Sequence, residues 1–347
     1  MTKGPSPSDL DISTAHALSV ASGAYGFNAA DADIERLVQR IKNVNFRIRL
    51  GQQDWILKCH RPGSVKNLGF SQGLEELLVN AGFPVAKLQI SQNGQALVQH
   101  GEMFFTLHDW VPGQQITIDQ RDKTLERHPD LTQELGAALG RLHRLGEPLL
   151  TSASAPIDGR WLLTGPRRTV TSIRRGRPPQ VFKAARLRVR PRKSEFDQWI
   201  LSELPRLYRV ANRLADETSV ALLDSDDVVV AHNDLNWENL IFGPTFRLRA
   251  LLDFDNATPL PRALDVGAAV AVLVGSATAR IDQFLASYAS ESGHHVDRDL
   301  VTLGMRWKCA RSMLWSIDSY LSGRIADSRM VANWCRHLDD CLKAIAD

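Results

Sequence analysis

The residues best suited to chemistry lie in one polar loop, residues 232–239, with the sequence HNDLNWEN. The apolar run 228–231 precedes this loop, and a second apolar strand pattern further on ends at Asp253. A strand–loop–strand arrangement of this kind brings Asp234, Asn239 and Asp253 to the mouths of neighbouring strands. Carboxylate and amide oxygens suit a hard cation such as Mg²⁺. A carboxylate that is not used for the metal can accept a proton from a hydroxyl group or orient it.

The spacing of these residues is more informative than their types. The pattern H-x-D-x-x-x-x-N, followed by an Asp on the next hairpin, is the arrangement of the catalytic loop and the metal-binding Asp in kinases. The segment resembles the aminoglycoside phosphotransferase and choline kinase-like superfamily, within the protein kinase-like fold. Its HND start is similar to choline kinases, and LLDF…ALDVGAAV is similar to the homoserine and hydroxylysine kinase branches.

The resemblance implies an α+β, bilobal protein kinase-like fold. It has a small lobe with a five-stranded antiparallel β-sheet and one helix, and a larger, mainly helical lobe. A chain of 347 residues is long enough for about two such units. We expect a tail and docking helix at 1–24, a nucleotide-binding lobe at 25–112, and a catalytic and substrate lobe at 113–347 that includes a basic insertion at 155–200.

The resemblance also assigns roles to individual residues. Asp234 is expected to orient and deprotonate the acceptor hydroxyl, while Asn239 and Asp253 hold magnesium. Lys58, on a predicted strand, is expected to neutralise the phosphates of ATP. Asn45, at a turn that resembles the I-E-N-x-N turn of homoserine kinases, is expected to contact nucleotide phosphates. The implied cofactors are therefore ATP and Mg²⁺.

Other polar residues near the motif are expected to assist or support it. Asp255 is a second carboxylate beside the metal-binding Asp, and Asn236 is placed to donate a hydrogen bond to the γ-phosphate. His232 and His143 are expected to be structural. Asp265 is expected to support the catalytic loop by hydrogen bonding, since a buried Asp needs partners.

One expected residue is missing. In the family, the helix after the lysine strand carries a Glu that pairs with the Lys, and its usual place falls near Ser71 or Gln72. Glu75 and Glu76 lie outside that place and are expected to form a solvated helix face. The partner of Lys58 is therefore left open, which favours an alternative function: a pseudokinase or regulatory module that binds nucleotide without turnover.

Periodicity predicts the main elements along the chain. The predicted strands are 36–41, 45–50, 55–60, 85–90, 95–99 and 103–107. The predicted helices are 13–22, 68–81, 131–145, 195–214, 281–288 and 300–321.

Charge is unevenly distributed along the chain. Residues 160–193 contain twelve Arg or Lys and no acidic residue, whereas the whole chain has a net charge of only +3. The segment fits a solvated or self-neutralised insertion, an anionic-ligand site or a nucleic-acid surface. Nucleic acid is the least favoured of the three, because the segment has few aromatic residues and no recognised nucleic-acid module.

The acceptor remains open between amino alcohols, amino-acid-like molecules and antibiotics. The rest of the chain is net acidic and fits a cationic acceptor, whereas the arginine-rich segment fits an anionic one. The predicted helix at 300–321 buries one apolar stripe. Its other face carries Arg306, Lys308 and Arg311, and an edge of that face is placed to meet a substrate.

Composition indicates the broad class of protein. Hydrophobic residues make up 44% and charged residues 23% of the chain, as in soluble globular proteins. No apolar stretch reaches the ~18–20 residues of a membrane span, and the first residues do not resemble a signal sequence. The four cysteines lack zinc-ligand spacing. We expect a cytoplasmic enzyme that acts on a small hydroxylated molecule, without a membrane partner; the sequence does not indicate an oligomeric state.

Overall fold

The structure is a computed structural model that describes residues 12–37, 43–60, 68–151, 158–175, 185, 187–325 and 327–345. Its strands are β1 Asp33–Arg36, β2 Val44–Leu50, β3 Gln53–His60, β4 Leu88–Gln89, β5 Val98–His100, β6 Met103–Asp109, β7 Val228–Ala231, β8 Leu240–Phe242, β9 Leu248–Leu251 and β10 Thr258–Pro261. Its α-helices include α1 Thr14–Tyr25, α2 Leu68–Asn80, α3 Arg121–Arg127, α4 Asp130–Gly146, α5 Gly165–Arg175, α6 Glu195–Leu222, α7 Arg262–Ala269, α8 Thr278–Ser292, α9 Arg298–Leu321 and α10 Ser328–Ala344.

The N-terminal part of the chain is built on one antiparallel sheet with the strand order β1-β2-β3-β6-β4, in which β5 also pairs with β6. The sheet thus has six strands rather than the predicted five. The count of five was wrong, although periodicity predicts six strand segments; β4 and β5 are very short, and both pair with β6. In β2 and β3, Asn45 lies directly opposite Lys58.

The first strand lies earlier than predicted. β1 covers Asp33–Arg36, and most of the predicted strand at 36–41 falls outside the described residues. The error has a physical reason, since β1 lacks the apolar alternation that identifies strands. Its Ile34 packs against the apolar core of the sheet, and Arg49 Nη1 lies 2.7 Å from Asp33 Oδ2 and Arg49 Nη2 2.7 Å from Glu35 Oε2.

Helix α1 packs on this sheet. The Ser13 hydroxyl accepts a hydrogen bond from the His16 backbone N–H at 3.1 Å and caps the start of the helix. The buried residues Ala17 and Val20 pack in the same apolar core as Phe46 of β2. The helix predicted at 13–22 therefore forms, and burial against the sheet holds it in place.

The remainder of the chain is mainly helical, and its core continues into α2. Leu74 of α2 and Leu139 of α4 belong to one large apolar cluster. Helices α4 and α8 approach closely because Gly136 has no side chain: a Cβ there would lie 2.3 Å from the Phe284 carbonyl oxygen. The architecture confirms the α+β class, with a small antiparallel sheet and a larger helical part. The exact boundary at residue 112 stays a prediction.

Two short hairpins position the polar loop. Strand β7 pairs with β10, and β8 pairs with β9, with Leu240 opposite Leu251. The joining segment, residues 110–117, links β6 of the sheet to the helical part. It is fixed to β8 by two backbone hydrogen bonds of 2.9 Å between Gln114 and Phe242. Gly113 permits this contact, since a Cβ there would lie 2.5 Å from the Phe242 carbonyl oxygen.

Within the described part of the chain, no helix is long and apolar enough to cross a membrane.

Candidate active site

Apolar residues anchor the polar loop at 232–239 in the core. Trp237 is fully buried, and its indole Nε1 donates to the Val272 carbonyl at 3.2 Å. His232 is also buried; its Nε2 donates to the Leu252 carbonyl at 2.9 Å, and its Nδ1 accepts from the Asp234 backbone N–H at 3.3 Å. His232 therefore has the structural role expected from the sequence, and it joins the loop to the chain just before Asp253.

Amide side chains hold the loop in shape. Asn239 Nδ2 donates to the Asp234 carbonyl at 2.9 Å, and Asn236 Nδ2 donates to the same carbonyl at 3.1 Å. Asn236 Oδ1 accepts from the Asn239 backbone N–H at 3.1 Å. Asn236 therefore caps the turn. Because an amide nitrogen has two N–H groups, the second N–H of Nδ2 is left for the γ-phosphate, and that contact stays a prediction.

The Asp234 carboxylate is oriented by a residue that the sequence analysis missed. Asn256 Nδ2 donates to Asp234 Oδ2 at 2.9 Å, and the Asn256 carbonyl accepts from Asn233 Nδ2 at 3.2 Å. Asn233 adopts a left-handed backbone conformation with φ 60°, which Asn tolerates better than most residues. Asn256 directly follows Asp255 in the sequence, but its distance along the chain from Asp234 does not indicate that the two side chains are in contact.

A buried network supports the loop from below. Asp265 Oδ2 lies 3.0 Å from His143 Nε2, and His143 Nδ1 lies 2.8 Å from the Tyr288 hydroxyl. Asp265 Oδ1 also accepts from the Asn233 backbone N–H at 3.4 Å. Burial acts to raise the pKa of Asp265, but the hydrogen bond and charge of His143 outweigh it and lower that pKa. Asp265 and His143 thus support the loop, as expected, rather than face a substrate.

Lys58 on β3 lies between two carboxylates from the other side of the cleft. Its Nζ is 2.6 Å from Asp253 Oδ1 and 2.9 Å from Asp255 Oδ1. Burial acts to lower the pKa of Lys58, but these two carboxylates outweigh it and raise the pKa above its ordinary value. Lys58 is therefore positively charged at any physiological pH, at a place where it can contact phosphates.

Asp255 is the second fixed partner of Lys58. It also accepts from Asn43 Nδ2 at 2.8 Å and lies 3.5 Å from His60 Nδ1. Although burial acts to raise its pKa, Lys58 and His60 hold the pKa of Asp255 far below its ordinary value. The partner of Lys58 that the sequence left open is therefore a carboxylate from the hairpin that carries Asp253.

The expectation of a solvated face on α2 was wrong for Glu75. Glu75 is buried, and its Oε2 lies 3.1 Å from His108 Nε2 on β6. The α2 helix thus turns this Glu towards the sheet, where it pairs with His108 rather than with Lys58. Glu76, one position further along the helix, is exposed as predicted.

Asn239 and Asp253, the two predicted magnesium ligands, line the same cavity and carry oxygens of the type that Mg²⁺ prefers. The Leu252 backbone N–H donates to the Asn239 carbonyl at 2.9 Å, so Asn239 lies beside the residue that precedes Asp253. Asp253 has a left-handed backbone with φ 66°, a strained conformation that commonly marks functional residues. The described residues contain no cluster of three or more His, Cys, Asp or Glu that could bind a metal. A two-residue set completed by substrate phosphates and water is the usual mode for Mg²⁺.

All five residues predicted for the site (Asn45, Lys58, Asp234, Asn239 and Asp253) line one cavity of about 1770 Å³. Pockets for a single small ligand are commonly about 300–1,000 Å³, so this cavity has room for two ligands. The part near the joining segment is apolar and suits a purine base. Its lining residues there include Leu37, Ile56, Ala86, Val111, Ile241 and Leu251.

The cavity continues beyond Asp234 to a second part formed by α5, α9 and α10. The face of α9 that lines it carries Lys308, Arg311 and Trp315, spaced as one helical surface. Lys308 and Arg311 thus meet the cavity, as the sequence suggested for an edge of this helix. Arg306 does not, because its Nη1 pairs with Glu217 at 3.2 Å.

Part of the described basic segment is matched by acidic residues in its surroundings. Arg167 pairs with Asp216, and Arg190 Nη1 lies 2.9 Å from Asp197 Oδ2. Arg174 stacks over Tyr208, with its guanidinium carbon 5.2 Å from the ring centroid. These contacts favour the self-neutralised interpretation for these residues, while residues 176–184 and 186 lie outside the described part of the chain.

A sequence profile of the phosphotransferase enzyme family (APH) matches residues 33–300, most of the chain. The chain belongs to this family. Membership confirms the superfamily resemblance and the expectation of a phosphotransferase enzyme. No curated protein sequence is similar enough to the phosphotransferase to count as a match.

Solved structures share the fold of this phosphotransferase over nearly its full length. Spectinomycin phosphotransferase APH(9)-Ia, in complex with ADP and spectinomycin, is 12% identical with a TM-score of 0.67, and the match covers 97% of this chain and 98% of that one. Amicoumacin kinase hAmiN, in complex with AMP-PNP, Ca²⁺ and Ami, is 15% identical with a TM-score of 0.62 and coverage of 94% of this chain and 92% of that one. Plasmodium vivax ethanolamine kinase is 13% identical with a TM-score of 0.56 and coverage of 96% and 88%. At such identities the likeness shows the kinase-like fold alone.

Proposed function

We propose that this phosphotransferase moves the γ-phosphate of ATP to a hydroxyl group of a small molecule bound beside Asp234. The observation that carries the proposal is the arrangement of charge across one cavity. Lys58 on the sheet is held by Asp253 and Asp255, and the Asp234 carboxylate on the opposite side is oriented by Asn256. Phosphoryl transfer depends on positioning and charge neutralisation, which this arrangement supplies.

ATP is expected to occupy the part of the cavity near the joining segment. The apolar side chains there suit the adenine, and Lys58 on β3 lies where the nucleotide phosphates would extend towards the loop. Asn45 is directly opposite Lys58 on β2 and is expected to contact the same phosphates. Asn239 and Asp253 would hold Mg²⁺, which neutralises charge on the β- and γ-phosphates when bound.

Asp234 is the proposed base for the acceptor. The amide of Asn256 fixes the Asp234 carboxylate, which is proposed to orient the acceptor hydroxyl and accept its proton. Asn239 keeps the loop closed through its bond to the Asp234 carbonyl. The support for a small-molecule acceptor is the family match together with the size of the cavity beyond Asp234.

The structural neighbours support this class of reaction but not one acceptor. They are a spectinomycin phosphotransferase, an amicoumacin kinase and an ethanolamine kinase, and these three compounds differ widely in size and chemistry. One fold therefore serves many hydroxylated acceptors. The acceptor of this chain has to be inferred from its own cavity.

The structure weakens the argument for a nucleotide-binding module without turnover. That alternative depended on the missing Glu of α2, which left Lys58 without a partner. Lys58 instead has two carboxylate partners within 3 Å, at 2.6 and 2.9 Å. Because Lys58 is charged and is oriented by these two carboxylates, the missing Glu of α2 no longer separates this chain from an active kinase.

The test is ATP consumption with Mg²⁺ across a panel of hydroxylated acceptors, with Asp234→Asn as the matched control. We expect turnover with wild type, and a loss of about 10²–10⁴-fold in Asp234→Asn with ATP binding retained. Tight ATP binding without turnover for any acceptor would instead support the nucleotide-binding module. Wild-type rates in Asp234→Asn would refute the assigned base.

A further inference from the structure

A buried lysine faces the cavity next to the proposed base; burial lowers the pKa of Lys308, and the charge of Asp234 opposes that shift. Lys308 on α9 is only 5% exposed and lines the cavity on the far side of Asp234. Among the residues that the structure describes, it has neither a hydrogen bond nor an ion pair within 4.0 Å. A buried charge without a partner is costly to a fold, and such a group is commonly retained for a ligand.

Arg311 lies one helical turn further along the same face. Its guanidinium stacks over Trp307, with the central carbon 4.9 Å from the ring centroid, and Nη1 donates to Asn233 Oδ1 at 3.3 Å. Within the described residues it has no carboxylate within ion-pair distance. Its planar fork is therefore fixed in orientation while its charge is not matched by a direct counter-ion, which suits recognition of a carboxylate or a phosphate.

The surroundings reinforce this positive charge. The cations that line this part of the cavity are Arg168, Lys308, Arg311, Arg324, Arg329 and Arg336.

The nearby carboxylates are mostly engaged elsewhere. Asp318 pairs with Arg324 at 2.6 Å, Asp119 lies 3.2 Å from His337, and Asp327 accepts from the first backbone N–H groups of α10. Glu195 also lines this part of the cavity but lies in the first turn of α6. The charge of Asp234 acts on both Lys308 and Arg311, but among the described residues no carboxylate lies within ion-pair distance of either, so both can bind an anionic group.

We infer that the acceptor carries an anionic group, a carboxylate or a phosphate, which Lys308 and Arg311 bind while its hydroxyl faces Asp234. This inference rests on the proposed function, because it names the substrate class of the same site. In the sequence, the net-acidic remainder of the chain fitted a cationic acceptor and the arginine-rich segment an anionic one. The inference favours the anionic acceptor, but the cations that carry it, Lys308 and Arg311, belong to α9 and not to the arginine-rich segment. Two tryptophans, Trp161 and Trp315, also line this part of the cavity and offer apolar surface for the body of the acceptor.

A cationic acceptor is disfavoured by the same arrangement. An ammonium group placed near Lys308 and Arg311 would meet two like charges in a partly desolvated site, and like-charge contacts of this kind cost several kcal/mol. The protein should therefore bind anionic acceptors more tightly than cationic ones.

The first experiment measures binding and does not depend on turnover. The full chain is saturated with AMP-PNP and Mg²⁺ so that the nucleotide part is occupied, and calorimetry then measures the binding of inorganic phosphate and of acetate. We expect at least one of them to bind, and affinity to fall about tenfold or more in Lys308→Met, the usual loss for a charged hydrogen bond. Lys308→Arg should keep the charge and restore binding in part.

Arg306→Gln is the matched control, since Arg306 lies on the same helix but pairs with Glu217 away from the cavity. It should leave anion binding at the wild-type level. Failure of both anions to bind, or equal binding in wild type and Lys308→Met, would overturn the inference. A Lys308→Met variant that loses affinity only for AMP-PNP would also overturn it, because Lys308 would then serve the nucleotide.

A second experiment uses ligands of matched shape, namely glucose, gluconate, glucose 6-phosphate and glucosamine, under the same conditions. Gluconate or glucose 6-phosphate should bind more tightly than glucose, and glucosamine most weakly; which of the two anions binds best separates a carboxylate from a phosphate preference. Tighter binding of glucosamine than of both anions would contradict the inference. Binding of AMP-PNP in the same samples reports on the nucleotide site, so loss of the proposed function and loss of anion recognition give different results.

Discussion

Replacing Asp255 by Asn tests whether Asp255 is a carboxylate that orients Lys58. Asp255 has a side chain that is only 14% exposed and accepts from Lys58 at 2.9 Å and from Asn43 at 2.8 Å. Asn keeps the shape and one acceptor oxygen but removes the negative charge. Since Lys58 retains Asp253, the expected loss is that of one charge-assisted hydrogen bond, about 1.5–3 kcal/mol.

This loss should appear in two measurements. The free energy of unfolding of Asp255→Asn, from denaturant titration, should fall by about 1.5–3 kcal/mol. The kcat/KM for ATP should fall by about tenfold or more, because Lys58 is less firmly oriented towards the phosphates. Glu75→Gln is the matched control: Glu75 pairs with His108, so this variant should leave the KM for ATP close to that of wild type.

The stability difference should also depend on pH in a defined direction. The pKa of Asp255 is lowered in the folded protein, so its contribution is present above the unfolded value of about 3.9 and is lost as the pH falls through the folded pKa. The gap between wild type and Asp255→Asn should therefore narrow in acid. If Glu75→Gln impairs ATP use as much as Asp255→Asn, or if Asp255→Asn leaves it unchanged, Asp255 is not the partner that orients Lys58.

Three further predictions concern the metal, the support of the loop and the joining segment. Asn239→Ala and Asp253→Asn should each raise the Mg²⁺ concentration needed for half-maximal activity; an unchanged Mg²⁺ titration would remove them as ligands. Asp265→Asn should lower the free energy of unfolding near neutral pH by about 1–3 kcal/mol, because the lowered pKa of Asp265 stabilises the fold only above its unfolded value of about 3.9. That difference should shrink as the pH falls, and a gap that widens in acid would contradict the assignment. Gly113→Ala should cost about 1–3 kcal/mol in denaturant unfolding and raise the KM for ATP, since the new Cβ would lie 2.5 Å from the Phe242 carbonyl oxygen; wild-type behaviour would mean that the segment can shift.

The sequence indicated the fold and the main residues because their signals are local. The strands β2 and β3 alternate visibly, and the motif from His232 to Asn239 has a fixed spacing that a single loop enforces. Asp265 and His143 could likewise be assigned supporting roles, since both lie within strongly apolar patterns. The structure brings the five predicted site residues to one cavity.

The contacts that the sequence did not indicate are those between distant segments. The pairing of Lys58 with Asp255 spans almost 200 residues, and the rotation of α2 that turns Glu75 towards His108 is set by packing in the core. The role of Asn256 also depends on how the second hairpin folds back on Asp234. Such contacts follow from tertiary packing, for which no periodicity or spacing in the chain gives a signal.

The charged residues that line the acceptor part of the cavity also could not be predicted from local sequence patterns. The most basic segment of the sequence is 160–193, and three of its described arginines, Arg160, Arg167 and Arg190, pair with nearby acids. Lys308 is one lysine in a long helix, and only the structure shows that it is buried and faces the cavity without a partner. Net charge along the chain is therefore a poor guide to the charge that a ligand meets.

The most direct test of the central claim follows the labelled γ-phosphate itself. Wild type and Asp234→Asn are incubated with Mg²⁺, γ-labelled ATP and a fractionated extract of small metabolites, and the label is located by chromatography. We predict that wild type transfers the label to a small molecule and that Asp234→Asn does not. Label found only in inorganic phosphate or on the protein, or equal transfer by both proteins, would contradict phosphoryl transfer to a hydroxyl with Asp234 as the base.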